Sequence, residues 1–162
     1  MSKLSDPSIR YVVRPRVVAK TFEFLRLKGN AGHEGVVLWL GKLEQAACTI
    51  SEPLIPAQET GSLFYRISED ETFRILEIVA TKGLTVPIQV HSHPQEAFHS
   101  WADDERAFVR HENAISIVMP DFARFPDEDF VLRSRFYRLA ADSSWKEIPP
   151  KEVLGIFSFR SP

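Results

Sequence analysis

A chain of 162 residues, 44% hydrophobic and 26% charged, suits one globular domain that buries roughly 70% of its unfolded surface. The formal net charge of -2 argues against a general nucleic-acid or anionic-membrane binder. The lone cysteine, Cys48, excludes an intramolecular disulfide and a Cys-rich zinc site. The amino terminus, MSKLSDPSIRYVVRPR, lacks the apolar run of a signal peptide, and no stretch has the length of a membrane span. The expectation is a soluble, cytoplasmic, single domain over residues 1–162, with residues 1–8 disordered.

Tyr11 to Val13 suggest a short strand. Pro15 then suits the first turn of a helix over about 15–28, in which Val17, Val18, Thr21, Phe22 and Leu25 recur at helical spacing and Gly29-Asn30 supplies a left-handed stop. GVVLWLGKL, residues 35–43, is apolar on both faces and too short for a confident helix, so it reads as a buried central strand with Glu34 at its mouth. A second strand covers about 46–55, and residues 61–68 are loop or short strand. Ser68 and Glu71 have the form of a capping box, opening a helix with Ile75, Leu76, Val79 and Ala80 on one face and Gly83 as its stop. Strand character resumes at Val86 to Val90 and runs into His91. Residues 102–110 look helical, 114–119 form a buried strand, 121–129 an acidic loop, 130–139 a strand with arginines on one side, and 145–159 hold one more strand. Alternating strands and helices with several adjacent strands point to the α/β (α+β) class, a mixed β-sheet flanked by helices.

The chemistry concentrates in HSHPQEAFHSWADD, residues 91–104. His91 and His93 are two apart on an extended segment, so both imidazoles project from one face and can converge on one metal ion. Pro94 turns the chain out of the sheet, as a site at a strand end requires. Ser100 can cap the following helix, which puts Asp103 in its first turn as a third ligand. Asp104 is an alternative, and Ser-x-x-Asp is also an ordinary capping box. Zinc accepts nitrogen and oxygen ligands of this kind and leaves a fourth position for water. Glu34, at the start of the most apolar strand, is a candidate base whose proton affinity burial would raise. His99 and His111 hold no regular spacing to the pair and read as surface or cap residues. Trp39 reads as core, Cys48 as a small buried hydrophobe, and Phe98 and Trp101 as flanks of the site.

Together these residues resemble the JAMM signature of the JAB/MPN metalloproteases: a glutamate opening a strand of the form E-x-x-x-x-x-x-G, then H-x-H-P, then S-x-x-D heading a helix. Here they stand as EGVVLWLGK, HSHP and SWAD. The resemblance covers about residues 12–140 and implies an MPN/cytidine-deaminase-like fold holding one zinc ion. It implies that Glu34 activates a water, that His91, His93 and Asp103 bind the metal, and that Ser100 helps hold the oxyanion. The loop QEAFHS is one residue shorter than is usual in that family. Counting from His93 therefore reaches Asp104, and counting from the serine reaches Asp103; the rigid helix geometry shared by serine and aspartate favours Asp103.

The resemblance further implies cleavage of a peptide or isopeptide bond after the C-terminus of ubiquitin or a ubiquitin-like protein. In this it is similar to free-standing bacterial members that act beside activating and conjugating enzymes. Walls for an extended substrate tail are expected from residues 121–129 or 56–66. The rival readings are a catalytically silent MPN scaffold and a hydrolase of the same fold that processes a sulphur-carrier protein. A cupin barrel fits poorly, because Glu96 lies too close to the histidine pair and two helices precede His91.

Overall fold

The computed structural model describes residues 6–159. The disorder expected of residues 1–8 falls chiefly outside that range. A first strand, β1 (Arg10–Val13), leads into helix α1 (Pro15–Asn30), with Pro15 in the first turn where its missing N–H has no helical partner to lose. Val17, Thr21, Phe22, Leu25 and Gly29 form the buried stripe of α1. The left-handed stop expected at Gly29-Asn30 lies further on. The helix runs through Asn30, and Gly32 is the residue with positive φ, at 70°. Gly29 instead permits close packing, since a Cβ there would sit 2.4 Å from the Cβ of Phe122.

Among the described residues the main sheet has eight strands, in the order β10 (Phe157–Ser158), β1, β3 (Ala47–Leu54), β2 (Val36–Glu44), β6 (Thr85–Ser92), β7 (Ile115–Met119), β8 (Arg135–Leu139) and β9 (Trp145–Glu147). Its centre is β2 (Val36–Glu44), paired antiparallel with β3 (Ala47–Leu54) on one side and with β6 (Thr85–Ser92) on the other. Val36 to Leu40 are all 1% exposed or less because both faces of β2 are covered, which accounts for the unbroken apolar run. Val37 and Trp39 lie with Val17, Phe22 and Leu25 of α1, while Val36, Leu38 and Leu40 lie with Tyr65 and Ile75 on the opposite face. Trp39 is core, as expected, and its indole N–H donates to Thr21 Oγ1 at 2.8 Å. Cys48 is fully buried, and burial pushes its thiol up to about 11. Pro53 is accommodated within β3 because β1 pairs only with Ala47 to Ile50, leaving the Pro53 side of that strand free of a second neighbour.

The opposite face is covered by a two-stranded hairpin, β4 (Glu59–Gly61) and β5 (Phe64–Arg66), and by helix α2 (Glu69–Lys82). Ser68 caps α2 by accepting from the Glu71 N–H at 3.2 Å, and Gly83 ends it at φ 63°. The second half of the expected capping box is absent. The Glu71 carboxylate turns inward to accept the Ala57 N–H at 2.8 Å, which rotates the helix so that Glu71 and Ile75 are buried and Leu76 and Ala80 are exposed.

Beyond β6 come helix α3 (Trp101–Arg106), strand β7 (Ile115–Met119) parallel to β6, and two short 3-10 turns at Asp121–Ala123 and Asp127–Asp129. The single strand expected over 130–139 is split. Phe130–Arg133 is a helical turn, α4, and only Arg135–Leu139 is strand, β8. Phe130 plugs the core instead, its ring 6.0 Å from those of Phe22 and Trp39 and 5.8 Å from Phe136. The chain ends with β9 (Trp145–Glu147), helix α5 (Pro150–Ile156) and β10 (Phe157–Ser158). The rings of Phe136 on β8 and Phe157 on β10 meet at 5.2 Å although their strands lie near opposite ends of the sheet order, so the sheet is strongly curled. No helix among the described residues is long and apolar enough to cross a membrane.

Candidate metal centre

Strand β6 carries Ile88 and Val90 toward α1, so by alternation Gln89 and His91 project to the α2 side, with His91 opposite Val36 and Val118. The backbone stays pinned past the strand end. The His93 N–H donates to Met119 O at 2.9 Å, and His93 O accepts the Phe122 N–H at 2.8 Å. Asp121 to Ala123 all have positive φ, 53°, 52° and 59°, an unusual run for residues other than glycine. This left-handed turn is held against the histidine segment from both ends, because the Asp121 N–H also donates to Gln95 O at 2.9 Å. Next door, Ser92 N–H donates to Gly35 O at 3.1 Å and Gly35 N–H to Ser92 Oγ at 3.2 Å, which fixes Glu34 beside the two histidines.

Helix α3 delivers the carboxylate. Ser100 and Asp103 form a full capping box: Ser100 Oγ accepts the Asp103 N–H at 3.2 Å and the Asp103 carboxylate accepts the Ser100 N–H at 2.6 Å. The box also aims Asp103 at the strand end. Its Oδ1 lies 3.2 Å from His91 Nε2 and its Oδ2 lies 3.2 Å from His93 Nε2. All three side chains are buried, and their donor atoms lie within 4.8 Å of one another. Asp104, the alternative ligand, points elsewhere: its side chain is 53% exposed and its Oδ1 is 2.8 Å from His99 Nδ1.

The donor set fits a metal ion. Four ligands about 2.05 Å from a tetrahedral zinc are separated by about 3.3 Å, close to the 3.2 Å spacings here. Among the described residues neither nitrogen of the fully buried His91 finds a hydrogen-bond partner, which a side chain buried for packing alone would avoid. A shared ion would occupy the Nε2 lone pair. Burial opposes ionisation of Asp103, but the electrostatic pull of the nearby His91 and hydrogen bonds from His93 and the Ser100 N–H outweigh it and hold the carboxyl well below its ordinary range. Glu34, 4% exposed, goes the other way. Burial pushes its carboxyl up to about 7, with His93 opposing, Asp103 adding and Arg106 opposing, near the value suited to proton transfer at neutral pH.

A cavity of about 330 Å³ opens at the site, lined by Glu34, His93 and Ser100 together with Leu63, Pro94 and Phe98. Leu63 belongs to the expected 56–66 wall. Residues 121–129 do not line this cavity and act through the backbone of the histidine segment instead. Phe98 and Trp101 are 51% and 73% exposed; Phe98 lines the cavity and Trp101 does not. His111, as expected, stands apart, its Nδ1 beside Glu112 O at 3.1 Å.

Sequence reasoning missed three neighbours. His99 is no surface residue: its side chain is 3% exposed and packs between Tyr137 and Trp145, at 5.3 and 4.8 Å. Burial first, then the charge of His91, lowers its pKa to about 4 against the pull of Asp103 and Asp104, so the ring is neutral. Tyr65 lies 5.4 Å from the His91 ring, and no local pattern marks it. Gln89 did carry a signal, as a polar residue in an apolar strand two before His91. Its Oε1 accepts the Phe108 and Val109 N–H groups at 2.8 and 3.3 Å. That capture helps end α3 at Arg106, short of the expected 110.

Fold and site thus define an α/β protein with a buried His-His-Asp cluster able to hold a metal ion and a protonatable glutamate beside it. Over 154 residues the chain is 37% identical to the probable metalloprotease y4jG of Sinorhizobium fredii (strain NBRC 101917 / NGR234), covering 92% of this chain and 93% of that protein. The chain belongs to the family of that probable metalloprotease. No family model matches the sequence. Among solved structures, the solution structure of protein DSY2949 from Desulfitobacterium hafniense superposes with a TM-score of 0.63 at 13% identity, covering 93% of this chain and 94% of that one. That likeness concerns the fold.

Proposed function

We propose that this protein is a zinc-dependent metallopeptidase of the JAMM type, cleaving a peptide or isopeptide bond after the C-terminus of a ubiquitin-like protein. The observation that carries the reading is that Asp103 meets both histidines at 3.2 Å while Glu34 and Ser100 line the cavity beside them. Kinship with a protein named a probable metalloprotease supports it. The His-His-Asp donor set suits zinc, which would supply a water of lowered pKa and polarise the substrate carbonyl.

The chain's own groups do the rest. Glu34, with a proton affinity poised near neutrality, takes the proton from the attacking water and delivers it to the leaving amine. Ser100 Oγ is already an acceptor for the Asp103 N–H, which leaves its hydroxyl proton to donate to the carbonyl oxygen as negative charge develops there. The β4–β5 hairpin brings Leu63 to the cavity and offers strand edges on which an extended tail of small residues can add main-chain hydrogen bonds. The protein would work in the cytoplasm beside the activating and conjugating enzymes of its substrate.

The test is metal content by elemental analysis for the parent and His91→Ala, with cleavage of a ubiquitin-like fusion by the parent and Glu34→Gln. Zinc in the parent, lost with His91, and cleavage lost with zinc retained in Glu34→Gln are the expected results. A parent that holds zinc yet cleaves no such fusion would be a scaffold or a hydrolase of another substrate, such as a sulphur-carrier protein.

A further inference from the structure

The imidazole of His99 is wedged against His91, ring centroids 5.9 Å apart and the planes at 80°, with Tyr137 and Trp145 packed around it. Its Nδ1 faces Asp104 Oδ1 at 2.8 Å. A carboxylate only accepts, so the proton of the neutral ring sits on Nδ1 and Nε2 carries a lone pair. That Nε2 is buried without a partner. His91 presents the complement: with its Nε2 turned to the shared metal position beside Asp103, its proton is on Nδ1, and Nδ1 is also buried without a partner. A buried donor and a buried acceptor, each unpaired, stand on two rings packed edge to face.

We propose that His99 is a positioning residue of the metal centre: once the metal seats the His91 ring, His99 Nε2 accepts the His91 Nδ1–H, a bond the two unpaired nitrogens do not make in this structure, and so fixes the ring whose Nε2 meets the metal. Metal-ligating histidines regularly donate their second N–H to such a partner, which sets tautomer and orientation. The arrangement also gives Asp104 a task. It holds the proton of His99 on Nδ1 and keeps Nε2 an acceptor, so of the two adjacent aspartates Asp103 faces the metal position directly and Asp104 acts on it through two imidazoles. Tyr65, whose hydroxyl is buried and unpartnered and whose ring is 5.4 Å from His91, is the competing acceptor. Its hydroxyl can donate as well as accept, whereas His99 Nε2 can only accept.

This inference rests on the metal-centre reading above, and the test separates the two. Zinc affinity of the full chain is measured by chelator competition without substrate, and the His91 Nδ1–H resonance is followed by nitrogen-edited NMR of the zinc-loaded protein. His99→Phe should bind zinc on the order of 10–100-fold more weakly and lose the hydrogen-bonded position of that resonance. His99→Gln, which restores an acceptor, should recover most of both. Tyr65→Phe should leave both in place. Asp104→Asn, at an exposed position where folding is not at stake, should weaken zinc and broaden the resonance, and it decides the matter if His99→Phe does not fold. Parent-like zinc affinity and an unchanged resonance in His99→Phe, or their loss in Tyr65→Phe instead, would overturn the proposal. A parent that binds no zinc overturns the metal centre and this inference together. A parent that binds zinc and cleaves nothing sinks only the protease reading.

Discussion

His91 Nε2 and Asp103 Oδ1 lie 3.2 Å apart in the buried heart of the protein without forming a hydrogen bond. Two such groups, one from a strand end and the other from a helix three residues past its cap, are held at that spacing by their separate backbones rather than by each other. The spacing is that of two ligands on one ion, and the consequence is measurable.

Metal should therefore be a stability term. Binding to the folded state alone adds RT ln(1 + [L]/Kd), about 4 kcal/mol at a thousandfold excess over Kd. Calorimetry of the zinc-loaded parent with and without chelator should show a lower midpoint after chelation. His93→Ala should show the same midpoint in both conditions. A parent indifferent to chelator contradicts the site.

Glu34 gives the metal-free protein a pH dependence of definite sign. Its pKa is raised from 4.5 to about 7 in the fold, so the stability associated with its bound proton is complete below 4.5 and is lost as pH rises through 7. Glu34→Gln, which cannot ionise, should overtake the chelated parent as pH climbs from 4.5 to 8, by up to about 3 kcal/mol. Urea denaturation at the two pH values measures the gap; parallel pH profiles for the two proteins would refute the burial argument.

Under the proposed mechanism Ser100 has two separable duties, capping and oxyanion stabilisation. Glycine keeps a helix N-cap to within a few tenths of a kcal/mol, whereas alanine forfeits about 1 kcal/mol, and neither retains the hydroxyl. Ser100→Gly should thus unfold almost where the parent does yet lose about 10²–10³-fold in cleavage rate. Ser100→Ala should lose both rate and stability. Full activity in Ser100→Gly would confine the residue to capping.

Gly29 tests the left-handed turn that braces His93. Because a Cβ there would lie 2.4 Å from Phe122 Cβ, Gly29→Ala should destabilise the protein by about 1–3 kcal/mol despite alanine's better helix propensity. An unchanged or raised denaturation midpoint would show that Phe122 gives way easily.

Several features were legible in the chain alone because they rest on short-range geometry. The two-residue repeat of an extended segment puts His91 and His93 on one side, and the three-residue step from Ser100 to Asp103 is set within one helical turn. The apolar run of β2 declares a strand covered on both faces. That local rigidity also favours Asp103 over Asp104, and the structure brings Asp103 to the histidines. Other features depended on chain segments that meet only after the sheet curls. Phe130 looked like part of a strand because nothing nearby in sequence reveals the gap between Phe22, Trp39 and Phe136 that it fills. His99 looked solvent-facing because Tyr137 and Trp145, which cover it, arrive on β8 and β9. Tyr65 reaches His91 from a hairpin on another element. Residue type and spacing set which groups can share a metal, whereas their burial, and with it the proton affinity of Glu34 and the orphaned nitrogens of His91 and His99, comes from long-range packing that no local pattern encodes.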